Sequence, residues 1–282
     1  MPSTYAHLHF GREAERRMPE TVRSAVQEHR QLYEIGLHGP DIFFYYRPLK
    51  GNPVSRRGFS MHDEPAGDFF FPAREVRLSA PDPEAARAYL FGFLCHYELD
   101  RACHGYIEKK LTVSERTHTE IENEFDRYLL QREGVQISPA GLTAHIIPSR
   151  QNAEIIAAFF PEISAQQVER ALRSMKFYCN LLSGRGWRFP LVSAALRFSG
   201  HYDDLHGNLM ALRPLPGCED SNLRLEKLMR KALKHIPEQT AGYENFLRGG
   251  VFPEGFADTF GPGEGWQEIS VLTKEEEKKY EV

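Results

Sequence analysis

Apolar residues along this chain recur at helical spacing, with little of the alternation that marks strands. Between Gly11 and Leu37, the positions Met18, Val22, Val26 and Leu32 stand in a charged background and predict one or two amphipathic helices, with His7 and His9 lying before the first. Gly36 and the Gly39-Pro40 pair stop the pattern. Asp41 follows at once, and Ile42 to Tyr46 is an aromatic run too short for a long helix, read as buried backbone near the centre. Residues 47–60 mix Pro, Gly and basic side chains and read as a loop. A helical pattern resumes from Met61 to Leu78, opened by His62 and carrying Phe69, Phe70 and Phe71.

Asp82-Pro83-Glu84 is a capping Asp followed by Pro at the first helical position, and it starts a central helix to about Lys110. Thr117 and Glu120 form a capping box for the next helix, which puts His118 in its first turn. A loop with Pro139, Gly141 and Pro148 precedes a helix from Asn152 to Phe160, and Ser164 with Gln167 boxes another running to Gly184. After a loop with Gly186 and Pro190, Asn222 to His235 is again helical; Gly249 to Gly265 is rich in Gly and Pro, and Thr273 to Val282 is a charged run read as solvated. The fold class expected is all-α, a multi-helix bundle forming a single helical domain over 1–282. A metal-site half covers about 1–135, a helical C-terminal half about 136–248, and a tail 249–282.

Composition narrows the picture only modestly. A length of 282 residues accommodates one large domain or two smaller ones, and 41% hydrophobic with 26% charged residues is ordinary for a globular chain. The net charge of −4 carries no footprint for duplex nucleic acid. Cys95, Cys103, Cys179 and Cys218 show no CxxC spacing, so reduced thiols are expected. Charges at Arg12, Glu13, Glu15, Arg16 and Arg17 interrupt any secretion signal, and the longest apolar run, Tyr89 to Cys95, falls far short of the ~20 residues that span a bilayer. A cytoplasmic location without a transmembrane segment is the expectation.

Chemistry concentrates between Leu90 and Glu122. His96, Asp100 and His104 fall at i, i+4 and i+8, which keeps them near one helix face, and His118 with Glu122 repeats the four-residue interval. Tyr89, Phe93 and Ile107 share that face, so the polar row points towards the interior. Buried imidazoles and carboxylates are costly unless paired, and a cation satisfies several together; His with Asp or Glu is a zinc-type ligand set. At ~1.5 Å rise per residue, His96 and His104 lie about 12 Å apart along the axis, too far for one ion with ~2 Å bonds. Asp100, between them, is read as shared by two ions. A single His–Asp pair on a helix is more often a salt bridge, but five such groups between His96 and Glu122 favour metal. Further candidates lie upstream at His7 or His9, Asp41 and His62.

In order, these residues run His7, Gly39-Pro40-Asp41, His62, His96-x-x-x-Asp100, His104 and His118-x-x-x-Glu122. The arrangement resembles the bacterial zinc-dependent phospholipases C, which are related in fold to single-strand-specific zinc nucleases. The resemblance covers roughly the first half of the chain. It implies an all-α fold, bound zinc and hydrolysis of phosphodiester bonds. Carried over by position, His7 and Asp100 would serve one zinc, Asp41, His62, His96 and Asp100 a second, and His104, His118 and Glu122 a third. In the family the step from the shared Asp to the next His is longer than the four residues found here. The C-terminal half has no likeness to the β-sandwich lipid-binding domain of secreted members, which points to an intracellular branch.

The expected activity is therefore hydrolysis of a phosphoester, phospholipid among the candidates, by water activated at two or three Zn2+ ions, with Asp41 able to ligate, orient the water or take its proton. Arg56, Arg57 and Arg101 are candidate phosphate partners, though surface or salt-bridged roles suit them better. Cys95 and Cys103 should turn away from the ligand face. Two other readings remain open. His62-Asp63 is the doublet of HD-type metal phosphohydrolases, and a zinc-stabilised helical protein without catalysis would need a closed ligand set. His201, Asp203, Asp204 and His206 look like a polar loop.

Overall fold

Twelve α-helices and two short 3-10 turns make up the described residues, 4–136, 141–182, 210 and 213–282, of the computed structural model. There is no β-strand among them; a lone bridge joins Pro65 to Thr259. The fold is all-α, as the spacing predicts. No helix among the described residues is long and apolar enough to cross a membrane. The histidine and aspartate cluster from His201 to His206, the helix end at Gly184 and the loop with Gly186 and Pro190 lie outside the described residues.

The longest elements are α7 (Pro83–Leu111) and, late in the chain, α11 (Glu219–Leu247). Asp82 caps α7 by accepting from the Ala85 amide at 3.0 Å, Pro83 occupies its first turn, and Lys109 and Lys110 sit at its negative end. Every residue from Ala85 to Asp100 is buried, Arg87, His96, Glu98 and Asp100 included, so this part of α7 is enclosed by its neighbours on every side. Around it pack α1 (Thr4–Glu15), α2 (Glu20–Glu28), α3 (Arg30–Gly36), α6 (Ala73–Ser79), α8 (His118–Arg132), α9 (Arg150–Ala157) and α11.

The α3–α7 crossing is closed to backbone contact by two glycines. A methyl group at Gly92 would come within 2.1 Å of the Tyr33 carbonyl oxygen, and one at Gly36 within 2.4 Å of that of Tyr89. This close approach fixes where α3 ends, and hence where the 3-10 turn Gly39–Tyr45 lies over α7. Beneath it, Phe43, Phe69, Phe93 and Phe160 interlock, with Phe69 stacked on Phe93 at 4.0 Å and Phe43 edge-on to Phe160 at 4.7 Å.

Several local expectations need correction. The N-terminal region forms three helices, and His7 and His9 lie on the first of them. Asp126, on α8, accepts the Thr4, Tyr5 and Ala6 amides at 2.7–2.8 Å, so α1 is capped by a carboxylate 120 and more positions away. Residues 47–60 are not wholly loop: Asn52 and Pro53 start α4 (Pro53–Ser60), with Asn52 accepting from the Ser55 amide at 3.0 Å. His62 stands in the turn after α4, and the stretch to Leu78 divides into α5 (Gly67–Phe70) and α6. α11 runs beyond His235 through Pro237 to Leu247 because Ile236, Tyr243, Phe246 and Leu247 continue its buried face.

The last 34 residues form only in part the solvent-facing tail expected: nine of the ten from Thr273 to Val282 are exposed, but the stretch before them packs on the fold. Residues 255–261 return over α7, burying Phe256 and Phe260. The Ala66 and Gly67 amides donate to the Asp258 and Phe256 carbonyls at 2.9 and 2.7 Å. In the charged run, Glu277 on α12 (Lys274–Glu277) is wholly buried and accepts from Arg224 at 2.8 Å and Lys227 at 2.9 Å. Pairing with two cations of α11 is what makes that burial tolerable.

Candidate metal centre

One carboxylate on α7 collects imidazoles from three directions. Asp100 Oδ1 lies 3.2 Å from His7 Nε2 on α1 and 3.8 Å from His104 Nε2 one turn along α7. Asp100 Oδ2 lies 3.1 Å from His96 Nε2, one turn back, and 3.8 Å from His62 Nε2 in the turn after α4. Asp41, carried by the 3-10 turn, places Oδ1 3.1 Å from His62 Nε2 and Oδ2 4.0 Å from His96 Nε2. Glu122 Oε1, on α8, lies 3.2 Å from His118 Nε2 and 3.7 Å from His104 Nε2.

Gly39 makes the approach of Asp41 possible. Its φ of 47° is left-handed, and a β-carbon there would fall 2.2 Å from the His96 ring. The Gly-Pro-Asp sequence is thus a turn that can lie directly on an imidazole.

The outer ring nitrogens are held in three of five cases. His62 Nδ1 meets the Gly58 carbonyl at 2.9 Å, His104 Nδ1 the Phe260 carbonyl at 2.6 Å, and His118 Nδ1 the Glu108 carboxylate at 3.2 Å. A carbonyl oxygen only accepts, so His62 and His104 each carry a proton on Nδ1 and turn Nε2 to the interior, where a cation would take the place of a second proton. His7 Nδ1, both nitrogens of His96 and Asp41 Oδ1 are buried without a hydrogen-bond partner. His96 Nε2 is close to Asp100 and Asp41 Oδ1 to His62, yet neither pair aligns as a hydrogen bond. Such convergence without alignment is what a cation between donors produces, and unpaired burial of this kind is otherwise costly.

Charge follows the same geometry. Burial would raise the Asp100 carboxyl, but His96, His104 and His7 outweigh it and hold its pKa well below the usual range. Burial pulls His118 down, and the carboxylates of Glu122 and Glu108 reverse this and push it up to about 10. Asp41 does the same for His62, to about 9. Glu122 is likewise held low by His118 and His104 against its own burial. Three groups bring ligand atoms within 4.8 Å of one another: His7, His96 and Asp100; Asp41, His62 and His96; His104, His118 and Glu122. Their nitrogen and oxygen donors are a zinc-type set.

The family model described as zinc dependent phospholipase C matches residues 6–173, more than half of the chain. The chain belongs to this family. No curated protein and no solved structure matches. The match of the zinc-dependent phospholipase C family spans every residue of the three groups and stops before the segment that orients His104.

All eight candidate ligands, His7, Asp41, His62, His96, Asp100, His104, His118 and Glu122, are thus brought together, though they derive from α1, a 3-10 turn, an inter-helix turn, α7 and α8. His9 is turned elsewhere, to Glu133 at 3.1 Å. Asp63 is exposed and in none of the groups, so the His62-Asp63 doublet does not act as a unit. Arg57 is tied to Glu64 and Glu162, and Arg101 to Glu98 and Asp258, so neither is free for a phosphate. Cys95 packs at the Tyr33 hydroxyl, but Cys103, expected to turn away, lines a small cavity with His7, Asp100, His104 and Glu122.

Sequence reasoning missed Glu108. The signal was present: His96, Asp100, His104 and Glu108 continue one four-residue ladder, and the fourth rung reaches the outer nitrogen of His118. The carbonyls of Gly58 and Phe260 left no signal, since a main-chain oxygen has no residue type.

Proposed function

We propose that this chain hydrolyses phosphoester bonds with two or three zinc ions held by the three groups above. The observation that carries the reading is the position of Asp100, whose two oxygens face separate imidazole sets, His7 and His104 on one side and His96 and His62 on the other. His96 belongs to two of the groups, so either two full sites form or a third shares its ligands. Zinc at these donors supplies Lewis acidity, making water more acidic and offsetting charge on phosphoryl oxygens.

The chain's own residues supply the rest. His62 and His104 are locked by their Nδ1 bonds, so their Nε2 atoms need no reorientation on binding. Asp41, buried beside His62 and with Oδ1 making no aligned hydrogen bond, would hold a water and accept its proton. His62 and His118 keep 18% and 34% of their side chains exposed, which leaves an edge through which substrate reaches the cluster. That opening favours catalysis over a closed structural site. A phospholipid and other phosphodiesters both suit this chemistry.

The test is metal content by mass spectrometry, with hydrolysis measured on a panel of phosphodiesters and phosphomonoesters. The expected result is two or three zinc per chain. Asp100→Asn should lose at least half of that zinc and lower hydrolysis by more than about 100-fold, beyond what outer-sphere changes cost. A folded, metal-free wild-type chain rejects the reading, and zinc without hydrolysis of any ester turns it into a structural site.

A further inference from the structure

Four cations lie on α4 or near its start without acidic partners among the described residues. Lys50 and Arg56 are exposed, and their side chains make no hydrogen bond or ion pair among the described residues. Arg47 and Arg170, also exposed, flank the Tyr46 ring at 5.5 and 5.9 Å. The nearby carboxylates of Glu64 and Glu162 are already engaged by Arg57. Arg47 alone among the described non-glycine residues has a left-handed backbone, with φ of 51°, a costly conformation on an open turn. Asn52 Nδ2 donates to the Tyr46 and Lys50 carbonyls at 2.8 and 2.9 Å, which fastens this turn to the start of α4.

Two apolar side chains of the same segment also protrude. Leu49 is 56% and Phe59 58% exposed. Phe59 stacks on Phe44 at 4.1 Å, and Phe44 lies 5.4 Å from the His62 ring, so the patch runs to the edge of the metal centre. Its sign is opposite to the chain's net charge of −4.

We propose that this face docks the protein on an anionic phospholipid bilayer. Unpaired Lys and Arg are drawn to acidic headgroups, and a protruding Leu and Phe enter the interfacial layer beneath them. An acidic protein surface would satisfy the cations but leave both apolar side chains without a purpose. Docking itself stands apart from catalysis; only its consequence, presenting headgroups to the His62 edge, rests on the phosphoesterase reading.

The test is co-sedimentation of the zinc-loaded full chain with vesicles of phosphatidylcholine alone, or with roughly one part phosphatidylserine to three of phosphatidylcholine. Binding is expected to the anionic vesicles, to weaken as salt is raised, and to be absent on neutral ones. Lys50→Glu with Arg56→Glu should lower partitioning at least about tenfold, since each basic residue contributes roughly fivefold at such a surface. Leu49→Ser should lower it further. A charge-matched control, Lys231→Glu with Lys234→Glu on the exposed face of α11, should bind as the wild type does. Zinc content should be unchanged in all of these variants, and hydrolysis of a soluble phosphodiester unchanged in Leu49→Ser and in the control pair. Equal loss in the control pair, equal binding to neutral vesicles, or capture by poly-glutamate without vesicle binding would each overturn the proposal. If vesicle binding holds while no phosphoester is cleaved, the catalytic reading falls and docking stands.

Discussion

His104 Nδ1 lies 2.6 Å from the main-chain oxygen of Phe260, 156 positions further along the chain. The oxygen can only accept, so this contact puts a proton on His104 Nδ1 and turns Nε2 towards Glu122 and Asp100. A segment outside the family match therefore orients a candidate ligand inside it. The same strap is fastened next door, where the Gly261 amide donates to the His62 carbonyl at 3.0 Å.

Gly261→Pro removes that donor and restricts the backbone of Phe260 as well. Zinc affinity, measured by competition with a chelator, should fall by about 10–100-fold, the range for lost outer-sphere orientation. Unchanged affinity in a folded variant would show that the strap only packs.

Glu108 stands 3.2 Å from His118 Nδ1 and makes a carboxylate–histidine pair aimed at the third ligand group. Glu108→Ala should weaken zinc binding by roughly tenfold. Glu108→Gln, which keeps an acceptor oxygen but not the charge, should fall between alanine and wild type. If both bind zinc as wild type does, Glu108 has no part in holding His118.

Gly92→Ala tests the helix crossing that positions the Asp41 turn. Its new methyl would meet the Tyr33 carbonyl at 2.1 Å, and main chain cannot yield as a flexible side chain does. Denaturant titration should show destabilisation of about 1–3 kcal/mol or more. Gly263→Ala, with nothing within 4 Å, is the matched control and should be near neutral.

His38 and His145 share a hydrogen bond of 2.7 Å between their Nε2 atoms. Burial holds both below the ordinary imidazole value, His38 well below and His145 at about 3, with Arg12 and Lys176 adding to the effect on His145. The folded chain thus binds fewer protons than the unfolded one between about 3 and the unfolded value near ~6.5. Stability should be full above that upper value and decline as pH falls through the interval. His145→Gln should flatten this acid limb in metal-free protein, read as unfolding midpoints at neutral and mildly acid pH. An unaltered slope would mean that the pair does not titrate on unfolding.

Much of this molecule is written locally. Asp82-Pro83 starts α7 and the Thr117–Glu120 box starts α8, because a cap needs only the next three amides. The four-residue ladder of His96, Asp100 and His104 is equally local, since helix geometry alone puts those side chains on one face. Asn52-Pro53 was a cap of the same kind, obscured by the glycines and basic residues around it.

Tertiary structure decided what no short window contains. α1 begins at Thr4 because Asp126 receives its first amides, and Glu277 is buried because Arg224 and Lys227 wait for it on α11. The sequence by itself determined most of the helical stretches, the local caps of α7 and α8 and the identity of the ligand-type side chains, all set by bonding within a turn or two. Which carboxylate stands between which imidazoles, and which main-chain oxygen holds each ring, depends on contacts between segments far apart in the chain. Those contacts exist only once α3 has closed on α7 and the final strap has folded back over α7 and the turn that carries His62.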